Sequence, residues 1–198
     1  GQQILVTLSR ELEPAYGRGF SESNLRRMLQ FAELFPDEQI VVTLSRELSW
    51  SHFLVLLPLR EPLARTFYAE LCRYERWSVR TLRGKVQGML FERTALSRKP
   101  EELAQQELDA LRDEDQITPS LVFRDPYLLD FLDLHDTYSE RDLESAILRE
   151  LESFILELGT DFSFVARQKR LVIDGEDHYV DLLFFHRGLR RLIVVELK

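Results

Sequence analysis

Apolar residues recur at helical spacing through the first hundred positions of this chain. In GFSESNLRRMLQFAELFP, Ser21 or Ser23 serves as the cap, Leu25, Met28, Leu29 and Ala32 form one stripe, and Pro36 lies beyond the end. REPLARTFYAELCRYE opens with Pro62 in the first turn, where a missing N–H costs no hydrogen bond. WSVRTLRGKVQGMLFERTAL predicts a further long helix. The connections are short, so residues 1–100 predict a compact all-α domain. The heptapeptide VTLSREL occurs at 6–12 and again at 42–48. Its flanks differ, and the pattern reads as two similar amphipathic helices rather than as a repeat.

The pattern changes after residue 100. Residues 101–138 predict an acidic helix and then a connector carrying Pro119 and Pro126, with an aromatic segment at 127–134 that packs against something. A second domain starts near Ser139 and runs over 139–198. SERDLESAILRELESFILELG predicts one helix, opened by a capping box of Ser139 and Asp142 and stopped by Gly159. With Leu143 at 0° and about 100° per residue, Ile147, Leu148, Leu151, Phe154, Ile155 and Leu158 fall between about 20° and 140°. Glu150, Glu152 and Glu157 fall outside this stripe, on the face that suits solvent. Glu144 falls at about 100°, inside it. Either it reaches water from the end of the stripe or it faces something that wants a carboxylate.

Period-two alternation takes over at DFSFVARQKRLVIDGEDHYVDLLFFHRGLRRLIVVELK. Strands are expected over 162–173, about 179–186 and about 191–198, with Asp174-Gly175 at the first turn. A two-residue loop at Gly188-Leu189 suits a type II′ turn. It sets Leu183 across from Val194, Phe185 across from Leu192, and Asp181 across from Glu196. Two opposed carboxylates in an apolar hairpin repel, and the repulsion grows as the dielectric falls. Lys198, on the same face as Glu196, is one candidate for the compensating cation. A divalent metal is the other, since hard cations take one or two carboxylates together with phosphate and water. Glu144 adds a third carboxylate if its helix packs over the hairpin. An ordinary salt-bridged hairpin with its charged face in water is the plain alternative.

Composition narrows the class. The longest apolar run, 53–57, is far too short to cross a bilayer, and no signal-like stretch opens the chain, so no membrane partner is expected. A lone cysteine, Cys72, leaves no internal disulfide and no thiolate zinc cluster, and it fits a reducing cytoplasm. The net charge of −8 is unevenly spread. Residues 60–100 hold 10 basic and 4 acidic groups, and residues 101–162 hold 4 basic and 18 acidic. Within the basic stretch, with Val79 at 0°, Arg76, Arg80, Arg83 and Gln87 fall between about 40° and 100°. Such a ridge contacts phosphates or is simply a solvated basic face.

Asp181, fourteen intervening residues and then Glu196-Leu197-Lys198 resemble the core of PD-(D/E)XK nucleases. Nearly the whole chain resembles the bacterial YhcG family of predicted nucleases. The matching stretches are GFSESNLRRMLQF, LSWSHFLVLL, FYAELCRYERWSVRTLRGKV, RDPYLLDFLDL, ERDLE, LELGTDFSFVARQKRL and YVDLLFFHRGLRRLIVVELK. The resemblance implies an α+β chain. An N-terminal all-α domain of helix-turn-helix-like character is joined to an αβββ, restriction-endonuclease-like core that breaks off after the ExK strand. It implies that Asp181 and Glu196 hold Mg²⁺ or Mn²⁺, with the Leu197 carbonyl as a further ligand. Lys198 orients or helps deprotonate the attacking water, Glu144 is the helical acid, and Gln168 is the polar residue on the first strand. The expected function is metal-dependent hydrolysis of DNA, with nucleic-acid or partner contacts from the helical domain through Arg76, Arg80 and Arg83. The alternative is a non-catalytic nucleic-acid-binding or oligomerisation module, with a second copy or a partner protein as its contact.

Overall fold

A computed structural model describes residues 2–125, 127, 132, 139–159 and 161–197. The chain forms two compact units, Gly1–Met89 and Leu90–Lys198. Among the described residues, no helix is long and apolar enough to cross a membrane.

The first unit is helical: α1 (Gln2–Tyr16), α2 (Glu22–Leu34), α3 (Glu38–Ser45), α4 (Trp50–Leu56), α5 (Pro62–Tyr74) and α6 (Val79–Gln87). Side chains set several of the starts. Asp37 accepts from the amides of Gln39 and Ile40 at the head of α3. Ser49 and His52 form a reciprocal capping box on α4, and the other ring nitrogen of His52 lies 3.0 Å from the Trp77 carbonyl. Pro62 is the first residue of α5, and the Ser78 hydroxyl accepts from Thr81 N at the head of α6. Leu44, Phe53, Leu56, Phe67, Tyr68 and Leu82 are buried in this unit.

Two expectations hold only in part here. The first VTLSREL lies wholly in α1, whereas the second leaves α3 after Ser45 and enters a turn. Identical heptapeptides therefore adopt different structures, and tertiary context overrides their shared propensity. The long helix expected beyond Trp77 stops at Gln87, where Gly88 forms the cap and Met89 turns left-handed at φ 50°. Glycine is a poor helix former, and its backbone freedom marks the break.

The second unit contains α7 (Leu90–Arg93), α8 (Glu101–Glu114), α9 (Pro119–Val122), α10 (Glu140–Arg149), α11 (Leu151–Leu158), β1 (Phe162–Ile173), β2 (Glu176–His186) and β3 (Arg191–Val195). The acidic helix α8 is tied down by Glu107, which accepts from Lys99 Nζ, Thr118 Oγ1 and Ser120 Oγ. Burial alone raises the Glu107 carboxyl, but the Lys99 ammonium and the two hydroxyls outweigh it and hold the group below the usual range. A carboxylate depressed by folding contributes stability above its unfolded value of about 4.3, and that contribution is lost as pH falls through the lower folded value. Thermal denaturation between about pH 7 and about pH 3 should therefore give a steeper decline for the native chain than for Glu107→Gln.

The Ser139–Asp142 capping box opens α10, and Gly159 at φ 137° follows α11. The single helix expected between them is interrupted at Glu150, with φ −106° and ψ 32°. Glu157, expected on a solvated face, instead binds Arg93 Nη1 at 2.6 Å and lies 3.6 Å from Arg124 Nη1. An isolated antiparallel bridge between Thr94 and Arg124 sets the two arginines side by side. Of the aromatic segment at 127–134, Tyr127 and Leu132 are described, and both join the core of this unit. The remaining residues of that segment lie outside the described residues.

The sheet is antiparallel in the order β1-β2-β3. Asp174 and Gly175 both take left-handed φ, 52° and 84°, as a two-residue type I′ turn demands. The second turn differs from the type II′ expectation. His186 pairs with Arg191 across four residues, 187–190, Arg190 N donates to Arg187 O, and the left-handed residue is Arg190 at φ 53°. The register survives because one residue was added on each side of the loop. Leu183 pairs with Val194 and Phe185 with Leu192, as expected. Helices α10 and α11 cover one face of the sheet, packing Leu143, Ile147, Phe154 and Leu158 on Phe162, Leu182 and Phe184.

Candidate active site

Strand β2 places Asp181 one residue before Leu182, the start of the β2–β3 ladder. The ladder ends at that pair, with Val195 opposite Leu182, so Glu196 follows the last paired residue of β3 and Asp181 precedes the first paired residue of β2. The third strand does not continue to residue 198. It ends at Val195, and the Asp181 carboxylate Oδ2 accepts from Leu197 N at 2.9 Å. A side-chain oxygen takes this amide, which is why the strand lets go at this point. Leu197 tucks its side chain into the core, while Glu196 is exposed. Glu196 and Leu197 also line a cavity of about 500 Å³ whose apolar walls come from α10, α11 and β3.

Strand β1 supplies the next member. Its register to β2 slips between Phe164 and Ala166, a bulge with Val165 as the extra residue. Beyond the bulge, Arg167 pairs with Leu182 and Lys169 with Val180, which brings Gln168 across from Asp181. Gln168 itself is left-handed, with φ 45°. A long side chain rarely adopts that backbone region. Its Nε2 donates to Asp181 Oδ1 at 3.1 Å and to Glu144 Oε2 at 3.3 Å. Glu144 is half-buried, so the acid inside the α10 stripe does face a partner.

Three predicted site residues thus converge from three elements: Glu144 from α10, Gln168 from β1 and Asp181 from β2. Laid end to end, the two hydrogen bonds cap the separation of the two carboxylate oxygens at 6.4 Å. Lys198 lies outside the described residues. Among the described residues, no group of three or more His, Cys, Asp and Glu side chains is gathered to hold a metal. The donors present are oxygens only, and a pair of carboxylates completed by phosphate and water is the set that Mg²⁺ takes. Sequence reasoning pointed to the Leu197 carbonyl but missed its amide, because an amide bound to a side chain leaves no mark on a periodic pattern.

The basic ridge is less continuous than its helical projection. Helix α6 begins at Val79, so Arg76 precedes it. Arg76 is left-handed at φ 53° and lies 4.0 Å from the Glu47 carboxylate. Arg80, Arg83 and Gln87 are exposed on α6.

A helix followed by three antiparallel strands, with acids from the helix and the second strand meeting at one polar cluster, defines the class of the second unit. The family described as "YhcG PDDEXK nuclease domain" matches residues 120–198, and the family described as "DUF1016 N-terminal domain" matches residues 1–93. The protein named "Putative nuclease YhcG" of Escherichia coli (strain K12) is 39% identical over 227 aligned residues, which take in 100% of this chain and 60% of that relative. The chain is thus similar to YhcG over its whole length, and its residues 120–198 match the PDDEXK nuclease domain of that family. It spans 60% of the length of the curated relative it matches. No solved structure matches it.

Proposed function

We propose that the second unit carries the active site of a nuclease that hydrolyses phosphodiester bonds of DNA with Mg²⁺ or Mn²⁺. The observation that supports this reading is the meeting of the Asp181 and Glu144 carboxylates on one amide, beside the point where Glu196 follows β3. Asp181 and Glu196 hold the cation, and Glu144 contributes negative charge next to it. When bound, the cation polarises the scissile phosphate and lowers the pKa of a bound water. The Leu197 amide fixes Asp181 through Oδ2, which leaves Oδ1 as the oxygen directed at the cluster. Lys198 would orient the attacking water and, as an ammonium, offset the negative charge that develops on the phosphate oxygens. The test is incubation of the complete protein with DNA and Mg²⁺, with and without a chelator. Cleavage that stops on chelation is expected, and intact DNA after prolonged incubation with either cation overturns the reading.

The helical unit supplies phosphate contacts through the exposed side chains of Arg80 and Arg83 on α6. Each phosphate-neutralising cation steepens the dependence of log K on log salt by about one. Arg80→Glu with Arg83→Glu should therefore weaken binding to any DNA sequence and flatten that slope by about two, measured by fluorescence anisotropy across a salt series. An unchanged slope removes the ridge from the interface.

A further inference from the structure

We propose that the Gln168 amide substitutes for the cation in the metal-free protein and is displaced when the cation binds. Gln168 then sets the metal affinity of the site without being a ligand. The inference rests on the metal-dependent reading above and deepens it.

The first observation is position. One nitrogen lies 3.1 Å from Asp181 Oδ1 and 3.3 Å from Glu144 Oε2. An amide NH₂ has two N–H groups, and each carboxylate receives one. Hydrogen bonds to ionised acceptors are stronger than neutral ones, so the amide relieves part of the repulsion between two like charges. A Mg²⁺ ion held by Asp181 would present positive charge to the positive ends of the same N–H bonds. The amide and the cation compete for the same lone pairs.

The second observation is exposure. Gln168 is exposed although its partners are half-buried. The amide can swing into water, regain its hydrogen bonds there and leave the core undisturbed.

The third observation is backbone conformation. Gln168 holds φ 45° within a strand, three residues past the extra residue of a bulge. Such conformations persist where the surroundings over-determine them. The hydrogen bonds to Asp181 and Glu144 belong to those surroundings beside the flanking ladder pairs, so losing the one to Asp181 to a cation removes part of the restraint.

Calorimetric titration of the complete protein with Mg²⁺ tests this, using the wild type, Gln168→Met and Asp181→Asn. Methionine keeps the length of the side chain and has no donor. The expected result is Mg²⁺ binding tightened by about tenfold in Gln168→Met, the order of magnitude of a lost charge-assisted hydrogen bond. Its metal-free thermal midpoint should also fall, while the Mg²⁺-saturated midpoint stays near that of the wild type. Unchanged or weakened binding in Gln168→Met, with the wild type binding normally, overturns the inference and leaves the metal-dependent reading intact. No binding by the wild type, or full binding by Asp181→Asn, overturns both. If Gln168→Met does not fold, nuclear magnetic resonance of the wild type decides. The Gln168 side-chain NH₂ signals should move to the position of a solvent-exposed amide as Mg²⁺ is added, and signals that stay put overturn the inference.

Discussion

Asp181→Asn should reduce metal-dependent DNA cleavage by about three orders of magnitude, the scale seen when one stabilising group is removed from a preorganised site. Two separate losses act together. On the proposed reading, the substitution removes a negative charge that would grip the cation. It also leaves one side-chain oxygen to serve two donors, Leu197 N and Gln168 Nε2, which Asp181 satisfies with separate oxygens. If that oxygen faces Leu197, the new NH₂ of the asparagine confronts the NH₂ of Gln168, donor against donor. Initial rates of phosphodiester cleavage by the complete protein, at saturating Mg²⁺, measure the effect. A circular dichroism melt close to that of the wild type confirms that the loss is chemical, because Asp181 is only half-buried. Activity within tenfold of the wild type would place the grip on the cation elsewhere and remove Asp181 from the chemistry.

The largest effect on stability is expected at Glu157. Its carboxylate is 14% exposed and meets Arg93, 10% exposed, and Arg124, 6% exposed. Removing one partner of a buried ion pair strands charge in a poor solvent, at a cost of about 3–5 kcal/mol. Glu157→Gln should therefore destabilise the second unit by about 3 kcal/mol, since two guanidinium groups lose their shared counter-charge. Urea unfolding followed by circular dichroism reads this as a drop in the midpoint. Arg93→Met placed on the Glu157→Gln background should return part of the loss, because it removes one of the two positive charges that face the lost carboxylate. A double variant less stable than Glu157→Gln alone would mean that the pair contributes packing rather than charge compensation.

These two positions differ in how far the sequence anticipates them. Asp181 stands out because an acid interrupts an apolar strand, and period-two pairing then names Glu196 as its opposite. Glu157 gives a misleading signal. Its angle on an ideal helix points to solvent, but the helix is interrupted at Glu150, and both partners come from a bridge more than thirty residues upstream. Helical projection assumes one unbroken axis, so it fails beyond an interruption. Arg76 fails for the same reason, since the start of α6 at Val79 leaves it outside the face onto which it was projected.

The amino-acid sequence by itself determined the classes of element, the turn at Asp174-Gly175, the β2–β3 register, the Ser139–Asp142 capping box and which acids are candidates for the site. These follow from short-range rules: side-chain period, turn stereochemistry and local hydrogen bonding. Only the tertiary structure decided that a glutamine joins Glu144 to Asp181, that β3 stops where Asp181 takes the Leu197 amide, and that Glu157 is held between two arginines. Each of these depends on groups far apart in the chain meeting at hydrogen-bond distance. Their position is set by how α10, α11 and the bulged β1 pack on the sheet, and no local pattern encodes it.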